Sequence, residues 1–210
     1  MSYTLYGRPW SGSLTVEFML EELGIPYQRS LVTGYRDAIQ PPSFAEINPL
    51  REVPVLVDDD GLVMTESAAI LLLLAQRRAE NLLPPAGSAL QGEHLRWMFY
   101  LAAAVYPTSM KIFHPDNSTD EPAHEASILA RGTKVLNHQW GVVCAAIDGR
   151  CHMVGDSMTV VDFYLMMFAY WFAEMDGIED SPLIRPFRER HLESDSARRV
   201  LARHISGDWV

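Results

Sequence analysis

Two serines, Ser11 and Ser13, stand in the loop GRPWSGS just ahead of a run with helical spacing. A hydroxyl at the start of a helix can donate to an anion, and the helix dipole favours negative charge there. A thiol would gain from such a donor, because its ordinary pKa is about 8.5 and only the thiolate is a strong nucleophile. Lowering that pKa by about two units takes roughly 2.7 kcal/mol of preferential stabilisation of the anion. The same serines could equally serve as helix N-caps. Glu66 and Ser67 open a second helical stretch, where unpaired amides attract a carboxylate and the Glu66 side chain can receive an ammonium. Ordinary capping within Thr65–Ala68 is the alternative. Val53-Pro54 fits either an exposed backbone edge able to pair with an extended chain or a plain edge-strand proline. Thr159 and Asp162 have the spacing of a capping box, which is a structural device.

Other chemistries find less to work with. Cys144 and Cys151 match neither a CxxC pair nor a zinc knuckle and read as two buried thiols. The histidines, among them His94, His114, His124, His138 and His152, form no HExxH or HxH pattern, so no metal is expected. With 17 basic and 27 acidic residues the formal charge is −10, which opposes binding to nucleic acid or anionic lipid. No apolar run approaches the roughly 18 residues of a membrane span. The beginning, MSYTLYGRPW, lacks the pattern of a secretion signal, so a cytoplasmic protein is expected.

The elements that must position these residues follow from periodicity. Tyr3–Tyr6 reads as a strand ended by Gly7 and Pro9. Leu14, Val16, Phe18, Met19, Leu20 and Leu23 then recur near helical spacing up to Gly24, and Tyr27–Val32 reads as a second strand. That order favours parallel pairing. After Pro41 and Pro42 come a short helix near Phe44–Ile47, an apolar segment Val53–Val57, the turn Asp58–Gly61 and Leu62–Thr65, which together predict an antiparallel hairpin. A helix is expected over Glu66–Arg78. The Pro- and Gly-rich segment Asn81–Leu90 reads as a linker, after which the pattern is helical throughout. Helices are expected over His94–Ile112, kinked or broken at Pro107, over Ala126–Ile147 and over Thr159–Phe172.

Three segments carry a family resemblance. NPLREVPVLVDDDGLVMTESAAILLLL (Asn48–Leu74), GRPWSGSLTVEFMLEELGIPY (Gly7–Tyr27) and GDSMTVVDFYL (Gly155–Leu165) together resemble the cytosolic glutathione S-transferases, of a serine-type, bacterial-like kind, from Tyr3 to about Leu201. The resemblance implies an α/β thioredoxin-like N-terminal domain (1–80), a linker (81–90) and an all-α C-terminal domain (91–210) carrying the acceptor-substrate site. It implies glutathione as co-substrate, no metal, a small electrophilic, largely apolar acceptor, a detoxifying role and a homodimer.

The resemblance also distributes roles. Ser11 aligns with the catalytic serine of serine-type members. Ser13 falls where some bacterial members keep a cysteine or a second serine, and Tyr6 is a rival because other classes use a tyrosine there. Val53 and Pro54, with a cis bond as in relatives, would pair with the peptide backbone of glutathione, and Glu66 and Ser67 would hold its charged end. Arg51 could grip the glycyl carboxylate and Arg36 could add a contact, whereas Glu52 departs from the Lys, Gln or His of several classes. Trp10 and Tyr106 are the candidate walls of the acceptor site. Trp97, Tyr100, Met110 and Phe113, in the same segment as Tyr106, have the spacing of core residues. Two further readings stay open: a glutathione-dependent isomerase, lyase or peroxidase, and a non-catalytic binding or regulatory module.

Overall fold

The computed structural model describes residues 2–34, 39–173 and 175–209. The chain separates into two units, Met1–Leu83 with Leu192–Val210, and Pro84–His191. The sequence reading placed everything after residue 90 in the helical domain. The terminal segment instead joins the first unit, because its helix packs on the first helix of the chain.

The first unit is built on a four-stranded sheet of order β2-β1-β3-β4. Strand β1 (Tyr3–Gly7) leads through helix α1 (Ser13–Glu22) to β2 (Tyr27–Leu31), which pairs parallel to it. After α2 (Phe44–Ile47), strands β3 (Val55–Asp58) and β4 (Val63–Met64) form the expected antiparallel hairpin, and α3 (Ser67–Arg78) follows. This is the thioredoxin-like arrangement. Alternation along β1 sends Leu5 and Gly7 toward one face and Tyr6 toward the other. Tyr6 packs on Phe44 beside Val32, Ile39 and Val55, while α1 and α3 pack against each other. Asp58 ties the β3-β4 turn by accepting from the Asp60 and Leu62 amides, and Arg77 of α3 pairs with it at 2.8 Å. Helix α9 (Asp195–Ser206) lies on α1, with Glu21 taking Arg199 at 2.7 Å and Arg203 at 2.8 Å.

The second unit is helical: α4 (Ala89–Tyr100), α5 (Tyr106–Phe113), α6 (Glu125–Ile147), α7 (Val160–Trp171) and α8 (Arg185–His191). Between α4 and α5 the chain widens into a π-turn, Leu101–Val105. Pro107, in the first turn of α5, has no N–H to continue the helical ladder, and the Thr108 hydroxyl donates to the Ala104 carbonyl at 2.9 Å. The capping box forms as the spacing predicted. Asp162 accepts from the Thr159 amide at 2.7 Å and also from the Met153 amide at 2.8 Å. Cys144 is buried, and burial pushes its thiol up to about 11; Cys151 is exposed, not buried as expected, because it lies in the loop beyond the left-handed turn at Asp148. Among the described residues no helix is long and apolar enough to cross a membrane.

Candidate functional site

Strand register brings three of the sequence signals to one end of the sheet. Tyr6 stands opposite Val55, so the loop leaving β1 after Gly7 emerges beside Val53-Pro54, which enters β3. Strand β4 runs back past β3 with Met64 opposite Leu56, and Glu66 therefore leaves the sheet at that same end.

The loop from Gly7 to Ser13 is held by its own hydroxyls. Ser11 Oγ is 2.8 Å from the Arg8 carbonyl oxygen and 2.7 Å from Ser13 Oγ, and Ser13 Oγ also reaches the Arg8 carbonyl at 3.1 Å. Gly12 is the N-cap of α1 and no side chain caps it. Ser11 is half-buried, whereas Ser13 is fully enclosed. Gly7 permits the enclosure: a Cβ there would lie 2.6 Å from Ser13 Oγ and 2.6 Å from the Trp209 ring, too close for any larger residue. Trp10, 41% exposed, has φ +60°. Its amide donates to His204 Nδ1 at 3.1 Å, and its ring meets His204 edge-on. Tyr6, the rival to Ser11, has its ring engaged with Phe44 in the core.

The Val53-Pro54 bond is cis, Val53 is half-buried and Pro54 buried. The approach to it is shaped by Asn48, whose side chain donates to the Glu52 carbonyl at 2.8 Å and accepts from the Leu50 amide at 3.1 Å. Arg51 takes φ +56° in this loop, half-buried, and Glu52 is exposed. Glu66 has φ +62°, an unusual backbone for a residue with a side chain, and that side chain does not cap α3. Ser67, buried, begins the helix. Arg36 lies outside the described residues.

In the second unit Tyr106 is half-buried against Phe168 and Trp171, with ring centroids 6.0 Å away in each case. Phe113 meets the same Trp171, whereas Trp97 is buried. His152, Asp162 and His191 bring ligand-type atoms within 4.8 Å of one another. Asp162 there takes the two capping amides, and His191 Nε2–H donates to the Cys151 carbonyl at 2.6 Å.

Asn48, Glu17 and His204 organise these loops although no motif in the sequence assigns them that part. Asn48 was visible in the Asn-Pro pair. Glu17 had one faint signal, a carboxylate between Val16 and Phe18 in an apolar helix.

Comparison with known proteins gives concordant results. A model of the family described as "Glutathione S-transferase, N-terminal domain" matches residues 9–77. The uncharacterized GST-like protein YncG of Escherichia coli (strain K12) is 31% identical over 179 residues, 84% of this chain and 85% of that protein. Glutathione S-transferase GstA of Escherichia coli O157:H7 is 25% identical over 201 residues, covering 94% of this chain and 96% of its own length. A glutathione transferase homologue from Sulfitobacter, solved with bound glutathione, superposes with a TM-score of 0.84 at 22% identity, over 96% of this chain and 98% of that one.

Proposed function

The chain belongs to the glutathione S-transferase family, and from that premise we propose that it binds glutathione at the sheet end shared by Ser11, Val53 and Glu66 and transfers it, as thiolate, to a small electrophilic acceptor. The observation that carries the reading is the convergence of those three residues through the β1-β3-β4 register. Glutathione has two carboxylates, one ammonium and one thiol and no large apolar group, so it must be held by backbone pairing and directed charge. Val53 supplies the edge, Glu66 the partner for the ammonium, the α3 start with Ser67 the amides for a carboxylate, and Arg51 a cation for the glycyl end.

The serine pair divides the work. Ser13 is sealed from solvent, so it acts behind Ser11: Ser13 O–H donates to Ser11 Oγ, and Ser11 O–H donates to the sulfur. A chain of hydroxyls polarised in one direction strengthens its terminal donor. Tyr6 has the weaker claim, its ring being committed to the Phe44 core. Trp10 and Tyr106 are the acceptor-site residues of this reading, and the acceptor is largely apolar.

The chemistry uses a protonated hydroxyl and a peptide thiol, and the reading includes no metal. A homodimer in the cytoplasm is part of the same proposal. Light scattering that gave a single 23.7 kDa particle would count against the dimer. The test of the function is glutathione binding followed by pH titration of the bound thiol in wild type and Ser11→Ala. Binding kept with an unchanged thiol pKa in the variant would remove Ser11 from its role.

A further inference from the structure

We infer that His204, near the end of the chain, is a positioning residue for thiol activation, holding the Trp10–Ser11 turn through the Trp10 amide and anchored in turn on the buried carboxylate of Glu17. This rests on the reading of Ser11 as the thiol-activating hydroxyl.

The geometry is a chain of hydrogen bonds with one consistent direction. The Trp10 N–H can only donate, so His204 Nδ1, 3.1 Å away, accepts and carries no proton. The ring proton is therefore assigned to Nε2, which faces Glu17 Oε1 at 2.7 Å and donates to it. The other oxygen of Glu17 accepts from the Tyr27 hydroxyl at 3.2 Å, and Arg203 stands 3.9 Å from it. Burial, and then the charge of Glu17, push the Tyr27 hydroxyl well above its ordinary value, so it remains a donor. His204 and Glu17 are both essentially inaccessible to solvent. A carboxylate that orients an imidazole, which in turn fixes a third group, is a familiar way of holding a reactive geometry. Here the third group is a backbone amide.

That amide belongs to a residue that needs holding. Trp10 has φ +60°, a conformation costly for a residue with a Cβ, and at 41% exposed the residue cannot anchor the turn by burial alone. Ser11 follows directly, and its Oγ contacts to Arg8 and Ser13 depend on the turn keeping this shape. Trp209 meets the His204 ring edge-on and lies against Gly7, so the terminal segment contacts the loop at Gly7 as well as at Trp10.

Two substitutions separate the ring's two bonds. His204→Asn keeps an acceptor at the position of Nδ1 and loses the donor toward Glu17. His204→Gln keeps a donor toward Glu17 and removes the acceptor that Nδ1 offers the Trp10 amide. Amide exchange in the ligand-free proteins is expected to quicken at Trp10 and Ser11 by about tenfold or more in His204→Gln, and to stay within a few-fold of wild type in His204→Asn. With glutathione bound, the thiol pKa should rise by about one unit in His204→Gln, lowering kcat with little change in acceptor KM. Equal behaviour of the two variants would overturn the inference. Nitrogen NMR of wild-type His204 tests the same geometry without any substitution: an unprotonated Nδ1 is expected, and a proton on Nδ1 overturns the assignment even if neither variant folds. Absence of glutathione binding to wild type would defeat the proposed function and with it the part of His204 in thiol activation, whereas failure of the exchange or tautomer result, both read without ligand, would overturn the His204 geometry and leave the proposed function standing.

Discussion

Ser11 Oγ and Ser13 Oγ lie 2.7 Å apart, and both reach the carbonyl oxygen of Arg8. Two hydroxyl protons thus serve three oxygen contacts, and either hydroxyl can be redirected without leaving the other unsatisfied. Ser11→Ala is expected to raise the bound thiol pKa by about one to two units and lower kcat/KM at neutral pH by about ten- to a hundredfold. Ser13→Ala, which removes only the supporting hydroxyl, should cost a few-fold in rate and about 1 kcal/mol in stability. Thiolate absorbance titrations and urea unfolding of the two variants measure both quantities. A larger rate loss in Ser13→Ala than in Ser11→Ala would reverse the assigned order.

Glu66 combines a backbone at φ +62° with an exposed carboxylate at the head of α3. A residue held in such a conformation for its ligand costs the free protein stability. Glu66→Gly should leave the free protein as stable or more stable by up to about 1 kcal/mol, while weakening glutathione binding about tenfold. Calorimetric titration together with a melting curve checks the two halves; tight binding retained in the glycine variant would remove Glu66 from the ligand.

Asp162 accepts two buried amides, those of Thr159 and Met153. Asp162→Ala strands both donors in a dry interior, and a loss of roughly 2–4 kcal/mol is expected. Urea midpoints should fall accordingly, and the fraction that remains folded should bind glutathione with wild-type affinity.

His94 is buried on α4, and its Nε2 finds no hydrogen-bond partner among the described residues. Burial lowers its pKa from the ordinary 6.5, and burial lowers that of His191 in the same way. Below pH 6.5 the unfolded chain therefore takes up protons that the folded one refuses, so stability falls as pH drops from 6.5 toward the folded-state values. His94→Leu keeps an apolar occupant and removes one titrating group. Between about pH 7.5 and pH 5.5 the variant should lose less stability than wild type in urea unfolding; parallel losses would exclude His94 as a contributor.

Much of the fold is legible because its signals are local. The hairpin around Asp58–Gly61, the helix opening at Glu66-Ser67 and the Thr159–Asp162 box each span a few residues, and each forms where the pattern placed it. Pro107 announced a disturbance, though not its form, since a missing N–H can be absorbed by a kink, a break or the π-turn that occurs. The terminal helix was the harder case. Its contacts to α1 run through Arg199, Arg203 and His204 to Glu21 and Glu17, charged residues that a periodicity reading leaves to solvent. Nothing adjacent to Glu17 in the chain signals that its partner lies 187 residues away.

That separation bears on the order in which the molecule can be completed. Synthesis proceeds from the N-terminus, so the sheet, α1 and α3 emerge long before α9 exists, and the face of α1 bearing Glu17 waits without its imidazole while Pro84–His191 is made. Closing so long a loop is entropically late, and local strand and helix contacts form ahead of it. The Trp10 turn is therefore among the last parts of the first unit to become rigid, and a nascent chain halted within α8 would carry Ser11, Val53 and Glu66 but lack the histidine that holds the turn at Trp10.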